Sequence, residues 1–297
     1  MATVHARSRQ HGVSGVRELR VALPGGNLAG QHWGEHNAPP LVALHGWLDN
    51  AGSFVRLAPL LATRFHVMAL ELPGHGHSDH LAAGASYHYT DYVHAVLAAM
   101  DALQIDSCVL LGHSLGAGVA CLAAAAAPAR FNRLLLIEGL GPLADDGTKT
   151  LERFRDALVP RGRNRPLRAF RDSAQAASAR SMASGLPADL AQPIVERALR
   201  QGDGGWYWRS DPRLTRASAL RMSESQVRAL LHGIGAPTSL LLAQPSTSYL
   251  PDALMGERAA CVARIAVERM HGGHHLHLEQ PQAVAEWILA AVAQEPR

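Results

Sequence analysis

Cys108-Val109-Leu110-Leu111-Gly112-His113-Ser114-Leu115-Gly116, continuing as Ala117-Gly118-Val119-Ala120-Cys121-Leu122-Ala123, decides how this 297-residue chain is read. An apolar run of strand length ends in a Gly-x-Ser-x-Gly pentapeptide, and an alanine-rich helical run begins directly behind it. Glycines on both flanks suit a turn that strains the backbone at the serine and lets strand and helix approach closely. The Ser114 hydroxyl is then presented at the carboxyl edge of a sheet. The N-terminus of the following helix brings free amides and partial positive charge to the same spot, which suits a developing oxyanion.

Outward from that turn, short leucine-rich or β-branched runs alternate with helical patterns, the rhythm of strands crossing over through helices into a mostly parallel sheet. Residues 16–23 and 28–33, separated by Pro24-Gly25-Gly26-Asn27, read as an antiparallel hairpin at a sheet edge. Residues 41–44, 65–70, 108–111, 134–137, 238–242 and 264–267 read as parallel strands buried on both faces. Helical spacing covers 54–61, 89–103, 115–127 and 282–292, with Thr90-Asp91 as an N-cap. Between 142 and 235 the alternation stops. This stretch is arginine-rich and helical with no convincing buried strand, so it reads as an insertion, and Ser223 and Gln226 are spaced as a capping box near its end. The expected fold class is α/β, a mostly parallel eight-stranded sheet flanked by helices, with its core in 16–141 and 236–297 and a flexible leader over 1–15.

Composition narrows the function classes. With 47% hydrophobic and 18% charged residues the chain is an ordinary globular protein. No segment reaches the roughly 18 apolar residues of a membrane span, and the polar, basic start lacks a secretory h-region, so a cytoplasmic location is expected. Three widely spaced cysteines, Cys108, Cys121 and Cys261, suit reduced thiols and offer no zinc set. The net charge is +3. Lys149 is the only lysine and the arginines are interspersed with acids, so no nucleic-acid partner is expected. Oligomeric state is left open.

A serine hydroxyl needs a base to become a nucleophile, and the base needs an acid to orient it. Among 17 histidines, His5 and His11 lie in the leader, His32 and His36 near the edge hairpin, and His75 and His77 in a glycine-rich loop. The candidate is His274, in Gly272-Gly273-His274-His275-Leu276-His277 after the last strand. A metal cluster with His275 and His277 is the rival, and no carboxylate or cysteine set completes it, so no metal is expected. A second oxyanion amide besides that of Leu115 comes from Trp47 in His45-Gly46-Trp47, with His45 itself structural. Trp206, Trp208 and Arg209, in an aromatic turn segment of the insertion, are the candidate substrate contacts.

Together, the strand order, His45-Gly46, Gly112-His113-Ser114-Leu115-Gly116 and His274 ahead of Glu279 and Pro281 resemble the α/β-hydrolase fold superfamily. Within it, His45-Gly46-Trp47-Leu48-Asp49-Asn50-Ala51-Gly52-Ser53-Phe54, Leu72-Pro73-Gly74-His75-Gly76-His77-Ser78 and Arg209-Ser210-Asp211-Pro212-Arg213-Leu214 are similar to the serine hydrolase-like proteins. The resemblance implies a helical cap inserted after the sixth strand, matching 142–235, and two-step acyl transfer to water. The superfamily's usual acid follows the seventh strand, but here Ala243-Gln244-Pro245-Ser246-Thr247-Ser248-Tyr249 holds no carboxylate. The alternative place, after the sixth strand, offers Glu138, with Asp252 in reserve; Glu71 and Asp79 are expected to be structural. The expectation is a serine hydrolase of small ester-like substrates using Ser114, His274 and Glu138, without cofactor. Its alternatives are a thioesterase or acyltransferase, or a slow or inactive binding protein on the same fold.

Overall fold

A computed structural model describes residues 15–159, 169–216 and 218–294. All but the last residue of the expected leader therefore lies outside the described residues, as do 160–168 and Ala217 of the insertion. Strands β1 (Arg17–Leu23) and β2 (Gly26–Trp33) form the expected edge hairpin. They are followed by β3 (Pro40–Leu44), β4 (His66–Leu70), β5 (Cys108–His113) and β6 (Phe131–Ile137). The eight-stranded sheet closes with β9 (Thr238–Gln244) and β10 (Ile265–His271) in the order β1-β2-β4-β3-β5-β6-β9-β10. From β4 to β10 every pairing is parallel.

The central strands are apolar throughout because alternate residues feed two cores. Val42, Leu44, Leu110, Leu134, Leu136 and Leu240 meet α2 (Tyr89–Ala102), α3 (Leu115–Ala126), α7 (Glu224–Leu231) and α8 (Asp252–Ala259) on one face. Leu41, Ala43, Leu111, Leu135, Ile137 and Leu241 meet α1 (Ala58–Leu61), α9 (Leu276–Glu279) and α10 (Pro281–Ala293) on the other. Burying each such Leu or Ile contributes about 1.5–3 kcal/mol, so a strand apolar on both faces is fixed in the sheet's centre. β10 corrects the expectation of full burial: as an edge strand it is mostly exposed.

The segment between β6 and β9 carries α4 (Thr150–Leu158), α5 (Ser173–Ser184), α6 (Ala188–Ala198) and a hairpin of β7 (Leu199–Gly202) and β8 (Gly205–Trp208). The hairpin corrects the reading of this stretch as wholly helical and of Trp206-Tyr207-Trp208 as a turn. β7 has its middle residues Arg200 and Gln201 exposed and β8 is only half buried, so no apolar run marks the hairpin. Phe170, Ala176, Leu186, Ile194, Val195 and Leu199 form a small core of the insertion. The expected capping box at Ser223 and Gln226 is present on α7. On α2 the N-cap is His88, two residues before Thr90, with its amide donating to Asp91 Oδ2 at 2.9 Å. Among the described residues no helix is long and apolar enough to cross a membrane.

Candidate active site

The turn from β5 to α3 leaves no room for side chains at its glycines. A Cβ on Gly116 would meet Leu44 O at 2.1 Å, and one on Gly112 would meet Gly116 O at 2.5 Å. Between them Ser114 is held at φ 52°, ψ −112°, a region costly for a residue with a Cβ. Two amides pin it there: Ser114 N donates to Ile137 O and Gly116 N to His45 O, each at 3.0 Å. Backbone strain collects at this end of the sheet. Of the four non-glycine residues with positive φ among those described, Leu48, Ser114 and Glu138 border one cavity of about 1600 Å³.

His274 and Glu138 border the same cavity. Glu138 leaves the end of β6 at φ 54°, nearly buried, with Oε1 accepting from Ala243 N at 2.5 Å and Oε2 at 3.0 Å from His274 Nδ1. A carboxylate on Nδ1 selects the tautomer that leaves Nε2 free to take a proton. The ring of Tyr249 packs edge-on against His274 at 5.3 Å. Asp252, the reserve acid, is spent elsewhere: it heads α8, exposed, and its Oδ1 accepts from Ser246 and from Arg269.

Leu115 opens α3, where the first amides have no acceptor inside the helix, and Trp47 lies in the loop after β3; both line the cavity. His45 braces that loop from below. Its Nε2 accepts from Leu72 N at 3.0 Å, which places the proton on Nδ1 to donate to Gly46 O at 2.7 Å. Trp206, Trp208 and Arg209, by contrast, do not line the cavity. Trp206 pairs with Phe170 through its backbone, Trp208 packs on the Phe170 ring at 5.1 Å, and Arg209 Nε donates to Leu199 O. Internal packing of the insertion uses these residues, and Arg180, Leu143, Leu158, Tyr87 and Leu220 border the cavity instead.

Sequence reasoning missed a buried polar layer behind His274. His113 Nε2 donates to the His274 carbonyl at 2.9 Å, so its Nδ1 is the acceptor, 3.8 Å from Asp49 Oδ2 and without a hydrogen-bond partner. Asp49 Oδ2 also faces His275 Nε2 at 3.3 Å, and Asp49 Oδ1 accepts from Arg180 of α5. Burial holds His113 far below its ordinary pKa, and the neighbouring His277, His274 and His275 push the same way. For Asp49 burial opposes ionisation, yet the contacts with His275 and Arg180 outweigh it and hold the carboxyl well below the usual range. Asp49, His113 and His275 have the spacing of a metal set. The Arg180 guanidinium already supplies a positive charge there through its ion pair with Asp49, so the group reads as an internal ion pair flanked by histidines. The signal for it was Asp49 in the loop after the third strand and a histidine inside the pentapeptide, which only the fold brings together.

The insertion is bolted over these loops. Asn50 Nδ2 donates to Ile194 O at 2.8 Å, Trp47 Nε1 to Leu214 O at 3.1 Å, and Tyr87 Oη to Asp211 Oδ2 at 2.8 Å. Glu71, wholly buried, receives Arg197 Nε at 2.6 Å. Asp79 accepts from Asn27 at the hairpin turn. Both acids are structural, as expected.

Known proteins are similar to this chain in sequence and fold. A serine hydrolase-like protein of Danio rerio is 30% identical over 285 residues, covering 91% of this chain and 86% of that one. The crystal structure of a hypothetical protein from Pseudomonas aeruginosa PAO1 superposes with a TM-score of 0.85 at 37% identity, over 93% of this chain and 99% of that one. A thioesterase domain from the curacin biosynthetic pathway gives a TM-score of 0.83 at 25% identity, over 92% and 99%. Residues 39–241 match the family described as the alpha/beta hydrolase fold. With that match laid over the eight-stranded sheet and the strained serine turn, the chain belongs to the α/β-hydrolase fold family.

Proposed function

We propose that this hydrolase-family chain cleaves small carboxylic-ester-like substrates with Ser114 as nucleophile, His274 as base and then acid, and Glu138 as the group that orients it. The observation that carries the reading is the 3.0 Å contact of His274 Nδ1 with Glu138 Oε2 beside a serine on a strained turn, all bordering one cavity. In the first step Ser114 Oγ bonds to the carbonyl carbon while its proton passes to His274 Nε2. The charge that develops on the carbonyl oxygen is met by the amides of Leu115 and Trp47. Collapse expels the alcohol, which takes the proton from His274, and leaves an acyl-serine. Water then attacks the acyl carbon, losing its proton to His274, and collapse breaks the bond to Ser114 Oγ as His274 returns that proton to it, releasing the acid and restoring the free serine. The Glu138 carboxylate stabilises the imidazolium in both halves. Residues 142–235 act as the cap, and its cavity-lining residues, not Trp206 or Trp208, set substrate choice.

A thioester meets the same groups, and the similarity to a thioesterase domain supports including thioesters in any screen. The decisive experiment needs no substrate: the protein is treated with a fluorophosphonate and its intact mass is read, with Ser114→Ala as control. One adduct, mapped to Ser114 and absent from the control, is expected. A folded protein that stays unlabelled overturns the hydrolase reading in favour of a binding protein on the same fold.

A further inference from the structure

At the opposite end of the sheet from Ser114, three histidines that the cavity does not use converge. His32 lies on β2 and His66 opens β4. Because His32 is paired with Met68 in the antiparallel register, His66, two residues away, points to the same face. His36 arrives from the turn after β2. That turn is held by Ala38 N donating to Glu35 O and by His66 N donating to Pro39 O, each at 3.0 Å. Gly34, at φ 84°, permits it, since a Cβ there would meet Phe65 O at 2.3 Å. The backbone thus fixes all three residues before any ligand arrives.

We propose that His32, His36 and His66 form a binding site for one divalent transition-metal ion of the zinc type, with solvent as the fourth ligand. A ring nitrogen from each lies within 4.8 Å of the other two. Tetrahedral zinc with bonds of about 2.0–2.1 Å sets its ligand nitrogens about 3.3 Å apart, and His32 Nδ1 already stands 3.1 Å from His66 Nε2. His36 is exposed while His32 is buried and His66 half buried, so the His36 ring forms the solvent side of the site and leaves an entry path. Three imidazoles without thiolate or carboxylate select zinc, cobalt, nickel or copper over magnesium or calcium. Burial, with the neighbouring imidazoles adding to it, brings the His32 pKa down to about 4, and His66 is lowered for the same reasons. The His32–His66 contact is a hydrogen bond between the two rings, so the ring whose nitrogen holds the shared proton carries it on its other nitrogen once a metal takes the place between them. Arg17, whose Nη1 is 3.5 Å from His36 Nε2, is exposed and must swing aside. Unlike the Asp49 network, this cluster has no fixed guanidinium at its centre.

The test is titration of chelator-treated full-length protein with Co²⁺ alone and with Zn²⁺ alone at pH 7.5. One equivalent of Co²⁺ is expected to give the visible absorption of a four-coordinate ion, displaced by Zn²⁺, and saturating Zn²⁺ to raise Tm by about 4 °C or more. His36→Gln and His66→Gln should each weaken binding at least about tenfold, and the double variant should lose both signals. Fluorophosphonate labelling of Ser114 should be unchanged throughout. His36→Gln, at an exposed position, keeps the test valid if a His66 variant folds poorly. Absence of the absorption in the unsubstituted protein overturns the proposal. So does its survival in the double variant, which would place the ion on His274 and its neighbours or on His5 and His11.

Discussion

Glu138 shows how much one residue's backbone decides. Its positive φ turns the side chain back so that one oxygen is spent on Ala243 N and the other faces His274. A glutamine there keeps the bond to Ala243 through its carbonyl oxygen and presents an NH₂ to His274 Nδ1, favouring the tautomer with its proton on Nε2. Glu138→Gln is therefore expected to lower kcat about 10³–10⁴-fold with KM within about twofold, checked by steady-state kinetics on any ester the protein turns over. An unchanged kcat removes Glu138 from the mechanism. Gly116 makes a purely steric prediction. Its neighbours at 2.1 to 2.8 Å from a built Cβ are all backbone, so Gly116→Ala should cost about 3 kcal/mol or more in urea unfolding. Gly256, inside α8 with nothing within 4 Å of its Cβ, is the control, and Gly256→Ala should stabilise by about 0.5–1 kcal/mol. Equal effects at the two sites would refute the close-approach account of the turn.

Among elements, α6 matters most to the site because it ties the insertion to the sheet. Arg197 from its last turn reaches both Glu71 at the end of β4 and Glu18 on β1. Its side chain is 8% exposed and that of Glu71 0%. Arg197→Met would strand a buried carboxylate, and the expected loss is about 3–5 kcal/mol in chemical denaturation. Arg228→Met, at a part-exposed site whose partners Glu224 and Glu257 are 29% and 57% exposed, should cost no more than about 1 kcal/mol; a comparable loss in both would mean that burial is not what matters. The same contrast explains what the sequence disclosed. The central strands of the sheet were legible because double burial leaves an unbroken apolar run, and the edge hairpin because of its turn residues; Ser114 and His274 were picked out by the strings around them, while Glu138 came from the resemblance, and the structure places all three on one cavity. The β7–β8 hairpin was not legible, since neither the largely exposed β7 nor the half-buried β8 carries an alternation; Asp203-Gly204 was the available cue. Trp206, Trp208 and Arg209 were chosen by residue type, and type does not say which way a side chain points. Asp49, His113, His275 and Arg180 meet only across four separate segments, beyond the reach of spacing.

At the scale of the whole molecule, the number of histidines kept neutral by burial sets the response to acid. His75 and His277 lie wholly inside the protein, where burial, with the neighbouring His45 acting on the first and His275 on the second, brings each pKa down to about 3. His113 is lowered by the same cause. In the unfolded chain these groups take up protons near pH 6.5, so between about pH 6.5 and pH 3 the unfolded state binds more protons than the folded one. Stability is thus fully present above pH 6.5 and falls as the pH drops, by up to about 1.4 kcal/mol per pH unit for each such histidine. The depressed carboxyl of Asp49 adds its loss only below about pH 4, where the unfolded aspartate protonates. Differential scanning calorimetry should therefore show a level Tm from pH 8 to about 6.5 and a steep decline toward pH 4.5. His277→Gln, which retains a polar atom for the 2.7 Å contact with Ser53 Oγ, should make that decline shallower. A Tm that holds level down to pH 5 would mean that water or a cation reaches these rings in solution and that the interior described here is less closed than its packing implies.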